Sequence, residues 1–463
     1  MAAISETSDA AAAAPSPKSV PPAAAEARTS AYTWYAVGFL TVAATLSSID
    51  RQVLAVLIGP IQRDLSLSDS QMGLLGGVAF SLLYSVGTVP AAWIADKRSR
   101  RMVITAGMAF WSAMTAACGM VNQFASLFLA RMGVGLGEAA LPPAAYSMMS
   151  DLLPKAKLPL AIGLFTAAPF FGVGLASIGG GQLAQYFETA PPLILPLLGE
   201  VKSWQAIFLL LGVPGILLAL IGLLTLREPE RKGQVAMDGQ AAMTTRQVMS
   251  FLGERRRFLA LHFTAYIAMS VQGWGLFFWV IEFLVRERGL PRAEAGLKYG
   301  LMAFGLGLAG SIVSGRLASG LVARGAADST MRLVLFCILA LMPLAIVMPL
   351  VPQAWQTLLL LMPITFLMGW PGALGMTSLQ FIVPNELKGR IIALYSLVVN
   401  AISLALGPLL GGLISDKVFG GQSLGGSLSL MAAINYPLAA IALLLCLRPF
   451  RAALEKARAW EAN

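Results

Sequence analysis

Eight stretches of this chain carry no Asp, Glu, Lys or Arg: 70–95, 102–130, 158–187, 203–226, 258–281, 333–385, 391–415 and 418–447. A helix needs about 20 apolar residues to cross a bilayer. Backbone buried in hydrocarbon must bond to itself, so runs of this length are helices. The 333–385 stretch is long enough for two spans with a turn at 349–353. Twelve spans are expected, near 34–59, 71–94, 101–121, 124–149, 157–187, 204–226, 258–284, 296–321, 331–350, 355–382, 389–415 and 427–447. The expected class is an all-α polytopic membrane protein. With 12% charged residues, against about a quarter in a soluble domain, the chain cannot cover separate globular domains with polar surface.

The remaining segments are short. Residues 1–30, rich in Ala, Pro and Ser, read as a disordered tail without a signal peptide. Cys118, Cys337 and Cys446 all fall within spans, which argues against disulfides and metal sites. Of the 33 Lys and Arg, 24 lie on one side when the N-terminus is placed there. That bias sets both termini in the cytoplasm. The net charge of +10 thus reads as topology and membrane-surface anchoring rather than nucleic-acid binding. Compact loops and the absence of glycosylation sequons favour a bacterial inner membrane.

The longest charged connection, 227–257, separates a half at 31–226 from a half at 258–447, with a tail at 448–463. The halves echo each other. "LLPKAKLPLAIGLF" (152–165) follows the fourth span and "IVPNELKGRIIALY" (382–395) the tenth. Gly180–Gly181 and Gly411–Gly412 recur at nearly the same interval. Two parallel six-helix repeats with a substrate site between them are a known transporter plan.

The loop "AAWIADKRSRR" (91–101) resembles the signature loop of the major facilitator superfamily. Asp96, Lys97, Arg100 and Arg101 fit, while Ala92 and Ser99 stand where the family prefers Gly. The resemblance implies a loop that braces the cytoplasmic gate, with Asp96 accepting from a helix N-terminus or an Arg. An ordinary positive-inside loop is the alternative. In the fifth span, "GLFTAAPFFGVGLASIGGG" (163–181) resembles the superfamily's antiporter motif through Gly163, Gly172, Gly180 and Gly181. Close helix packing alone would also use small residues there.

Charges inside spans cost several kcal/mol unless paired or hydrated. Asp50 and Arg51 are the only charges between Ala31 and Gln62. Arg131 and Glu138, seven residues apart in the fourth span, share a face about 10 Å apart. At these depths Asp50 could meet Arg131, and Arg51 could meet Glu138. A buried carboxylate that loses its base takes a proton, so the four charges make a candidate coupling switch. A static ion-pair brace is the bland alternative. The Asp-Arg pair followed by "GVGLGEA" (133–139) resembles the spinster family within the superfamily, over essentially the whole chain. The resemblance implies export of lysolipids or sphingoid lipids such as sphingosine-1-phosphate. Asp50 and Glu138 would be the proton sites, with Arg51 and Arg131 pairing with them or with a phosphate head group. Arg suits that group because its planar fork donates two bonds at once.

The second half offers apolar lining at Trp274, Phe277, Phe278 and Trp370, and one polar residue at Asn400. Glu282 is expected to be hydrated near the outer end, and His262 to sit at the cytoplasmic interface. No phosphate-cradling loop or catalytic constellation is present, so neither ATP nor a cofactor is expected to drive the protein. The leading expectation is a monomeric proton-coupled transporter of an amphipathic lipid. A drug or organic-anion antiporter of the same fold and a non-transporting membrane sensor are the alternatives.

Overall fold

The computed structural model describes residues 30–154, 156–189, 193–195, 199–231, 252–324, 328–383 and 385–461. The expected tail before Ser30, the connection between 232 and 251, and Pro384 of the repeat lie outside the described residues. The helices are α1 (Ala31–Val56), α2 (Ile58–Leu65), α3 (Asp69–Gly76), α4 (Val78–Lys97), α5 (Arg100–Cys118), α6 (Phe124–Glu138), α7 (Leu141–Leu152), α8 (Leu158–Thr189) and α9 (Ser203–Thr225). They continue as α10 (Arg256–Arg286), α11 (Arg292–Met302), a π turn at Ala303–Gly307, α12 (Leu308–Ala323), α13 (Ser329–Val347), α14 (Ala354–Met368), α15 (Pro371–Gln380), α16 (Asn385–Val418) and α17 (Leu424–Glu461). A short antiparallel hairpin, β1 (Leu193–Leu195) with β2 (Gly199–Val201), joins α8 to α9 and is the one departure from an all-helical chain among the described residues.

Among the described residues, ten helical segments are long and apolar enough to cross a membrane. Helix α5 and the α14–α15 pair complete twelve spans in two halves of six. Several spans are interrupted, each for a local reason. The first breaks at Leu57, because Pro60 has no N–H for the Val56 carbonyl. The second breaks at Gly77. The fourth breaks directly after Glu138, where Pro142 would have bonded that residue's carbonyl. The tenth restarts at Pro371, within the Trp-Pro-Gly sequence that marks a break.

The face where α1 begins and α17 ends is the terminal face; the other is the distal face. A set of hydrogen bonds and ion pairs ties the halves together toward the distal face. Asp69 opens α3, which a Ser68–Gln71 capping box starts. It pairs with Arg286 of α10 at 2.9 Å and accepts from Ser415 of α16 at 2.6 Å. The Ser70 N–H donates to Asp416 at 2.7 Å. Glu282 and Arg292, paired at 2.9 Å, grip the break in the first span. Arg292 donates to the stranded Val56 carbonyl at 2.8 Å, and the Gly59 N–H donates to Glu282 at 3.1 Å. A Cβ at Gly59 would come within 2.5 Å of Arg292. Glu282 is therefore buried and paired rather than hydrated: two arginines and a backbone amide replace water. These bonds close the halves distally.

Candidate functional site

The four intramembrane charges converge between α1, α4, α5 and α6. Each is a charge in a largely apolar helix, so folding brings them together or leaves them unsolvated. Asp50, Arg131 and Glu138 are each 1% exposed, whereas the Arg51 side chain keeps 21% exposure. Glu138 Oε2 accepts from the Ser47 hydroxyl at 2.6 Å and lies 3.6 Å from Arg51 Nη1. Arg51 Nη2 donates to Ser47 at 3.1 Å and Ser48 at 3.4 Å. Asp50 Oδ2 accepts from Thr115 of α5 at 3.3 Å. Asp50 Oδ1 and Glu138 Oε1 have no hydrogen-bond partner among the described residues.

The structure brings Arg51 and Glu138 together, but Asp50 and Arg131 make no direct ion pair. Arg131 donates instead to the Asp50 backbone carbonyl at 3.4 Å, and its Nε has no partner. The Asp50 carboxylate accepts from Thr115 at Oδ2, and Oδ1 does not come within ion-pair distance of Arg131. Phe80 of α4, invisible in an apolar run, lies under both guanidiniums at 5.4 Å from Arg51 and 5.6 Å from Arg131.

The fifth-span glycines serve different neighbours. Gly172 lets α8 press onto α1 beside the site: a Cβ there would meet Ser48 Cβ at 2.4 Å and the Thr45 carbonyl at 2.7 Å. A Cβ on Gly180 would make ordinary contact with Val53 and Val56 at 3.6 Å, and one on Gly181 would meet the Arg292 carbonyl across the seam at 3.0 Å. Gly163 has nothing near it.

In the loop between the second and third spans, Asp96 is exposed and has no bonded partner among the described residues. Lys97 lies 4.1 Å from the Trp93 ring centre. The hub is Arg100, which is 1% exposed. It pairs with Asp151 at the end of α7 and, at 2.8 Å, with Glu228 after α9. Glu228 also accepts from the Arg101 N–H at 2.9 Å and from Ser99 at 2.7 Å. Partial burial alone would raise the Glu228 carboxyl, but these donors hold it below its ordinary range. Asp151 and Glu228 escaped the sequence reading because their apolar neighbours end before them.

In the second half, Trp274 and Phe277 are half-buried, 5.3 Å apart edge to face, and Asn400 is exposed. Phe278 and Trp370 do not line an open surface. Phe278 packs on Gly76 in the seam between the halves, and Trp370 packs among Phe336 and Phe366. His262 is fully buried, not interfacial, because Tyr266 stacks on it and Ser378 bonds its Nε2 at 2.9 Å.

Residues 40–408 match the family model of the Major Facilitator Superfamily. Among known proteins, the chain is 29% identical over 406 residues to an MFS-type efflux pump of Mycolicibacterium smegmatis, covering 86% of this chain and 89% of that one. It is 24% identical over 409 residues to a hexuronate transporter of Bacillus subtilis, covering 86% and 92%. Among solved structures, a bacterial homologue of the human lysosomal transporter Spinster, inward-facing and unoccupied, superposes with TM-score 0.76 at 26% identity over 92% of this chain and 98% of that one.

Proposed function

The chain belongs to the major facilitator superfamily and is a secondary transporter, not an enzyme; from that premise we propose that it couples protons to the movement of an amphipathic anion. The observation that carries this is the sharing of Arg51 between Glu138 and the accessible space. An anionic head group arriving at Arg51 draws it from Glu138. Glu138 is then a buried carboxylate without a counter-ion, which is costly, and it neutralises by taking a proton. Anion and proton therefore bind together. Asp50, beside Arg131, is the second proton site. Once both are neutralised, the halves can rock about the charged site at lower cost.

The first reading of the substrate is a lysophospholipid or a sphingosine-1-phosphate-like lipid, supported by the likeness to the Spinster homologue. Trp274 and Phe277 would meet the apolar tail. A second reading is a drug or small organic anion carried by antiport, favoured by the efflux-pump and hexuronate relatives. In this proposal the terminal face is cytoplasmic, in the inner membrane of a bacterium, and the protein works as a monomer. The distal closure then corresponds to an inward-facing state.

The test is proton flux in liposomes that enclose a pH dye. Lysophospholipid, sphingosine-1-phosphate, galacturonate and a lipophilic cation are added in turn to wild type, Asp50→Asn and Glu138→Gln. Lipid-dependent proton movement, lost in both variants, is the expected result. A response to galacturonate or the cation but not to lipids moves the substrate to the second reading. Movement that survives both variants removes the charges from the coupling role.

A further inference from the structure

We infer that Phe80 is a positioning residue of the charged site: its ring holds the Arg51 and Arg131 guanidiniums in place whatever the charge on Asp50 and Glu138. The inference rests on the proposed role of those four charges.

Three observations converge on the ring. First, both guanidiniums lie within cation–π range of one ring, at 5.4 and 5.6 Å from its centre. Second, Arg131 is 1% exposed yet makes no ion pair among the described residues, and its Nε has no partner. Beyond one long bond to the Asp50 carbonyl and the through-space pull of Asp50 and Glu138, what lies against this buried cation is the Phe80 ring. Third, the ring is fixed. Phe80 is fully buried, and a Cβ on Gly135 of α6 would come within 2.2 Å of its carbonyl. Tyr84, one turn on, stacks against it at 5.2 Å and 24°.

The chemistry follows from what a ring cannot do. It takes up no proton and is not displaced by an anion. A carboxylate that is protonated releases its arginine; the ring does not. In the protonated state without substrate, the two like charges keep no counter-ion in the site, only hydrogen bonds to Ser47, Ser48 and the Asp50 carbonyl. The ring keeps them aimed. The groups that face the site are Asp50 and Arg51 on α1, Tyr84 on α4, Thr115 and Cys118 on α5, Arg131 and Glu138 on α6, and Tyr146 on α7.

The test uses the full-length protein in detergent with fluorinated phenylalanine at position 80. Stepwise fluorination weakens the ring's attraction for cations while nearly keeping its shape. The fluorine resonance of a monofluorinated ring should move in Arg51→Gln and in Arg131→Gln, and stay in place in Asp50→Asn and Glu138→Gln. A resonance indifferent to both arginines, or one that moves equally with the carboxylates, overturns the inference. The second readout is proton uptake, followed with an indicator dye. With a weakened ring the arginines lean harder on the carboxylates. Proton affinity should fall in steps with fluorine number, reaching roughly tenfold for the trifluorinated ring, and Phe80→Leu should match it. An effect seen in Phe80→Leu but absent across the fluorine series means that volume alone matters, which also overturns it. If instead Asp50→Asn and Glu138→Gln titrate as wild type does, the coupling proposal fails, while the resonance still decides the role of Phe80.

Discussion

At the scale of single residues, the site is held by few bonds, and each can be removed separately. Ser47 bonds Glu138 and Arg51 at once, at 2.6 and 3.1 Å. A hydrogen bond to a charged group contributes about 1.5–3 kcal/mol. Ser47→Ala should therefore loosen the pair, and proton affinity at Glu138 should change by roughly 10- to 100-fold in a dye titration. An unchanged titration would mean that Ser47 is packing alone. The four intramembrane charges were legible in the sequence because charge stands out against an apolar run. Their partners were not. Phe80 and Thr115 are ordinary members of apolar helices, and only the way helices face each other gives them a role. The Asp50–Arg131 pair was misread for the same reason: depth along the helix could be estimated from rise per residue, but rotation about its axis could not.

At the scale of helices, the fifth-span glycines separate into tight and loose positions. Gly172→Ala drives a methyl into the first span beside Ser48 and should lower both thermal stability and transport. Gly163→Ala meets nothing and should stabilise the helix by up to about 1 kcal/mol. Melting curves of the two purified variants check this; equal melting temperatures would mean that the close approach at Gly172 relaxes freely. The latch on the broken first span is a second such test. Arg292→Ala leaves Glu282 and the Val56 carbonyl short of a donor, so the distal closure should open. Distances between spin labels on the two halves at the distal face should lengthen. Most spans were readable to within a few residues from the charge-free runs, but most of their internal breaks were not, and the last helix runs on to Glu461, well past the expected end at 447. The latch was not: Arg292 begins its helix and Glu282 ends an apolar run, so both look like ordinary interfacial charges until the halves are brought together.

At the scale of the whole molecule, the two faces are tied differently. The distal tie is buried and joins the halves. The terminal tie, around Arg100 and Glu228, stays within the first half and is partly exposed. Glu228 is held below its ordinary value of 4.5 in the folded protein. Its contribution is therefore present above that value and is lost as pH falls through the lower folded value. Protease sensitivity of 226–231 should rise in that acidic window, and Glu228→Gln should be sensitive at neutral pH already. A flat profile in wild type would mean that the cluster does not anchor this segment. The six-plus-six division was legible from the longest charged connection, but its boundary was not. Residues 226–231 belong to the first half, because Arg100 and Arg101 bond Pro229, Glu228 and Leu226, and Arg231 bonds the carbonyls of Ala95 and Arg98.

That boundary has a practical meaning for cutting the chain in two. The bonds that join the halves at the distal end are made through space, and Arg231 still bonds the first half, at the Ala95 and Arg98 carbonyls. A gene split after that residue, with each piece expressed from its own start codon, would leave all of these bonds intact. The two polypeptides would carry complementary surfaces and could find each other in the bilayer. A split placed a few residues earlier would remove the cap that closes the first piece.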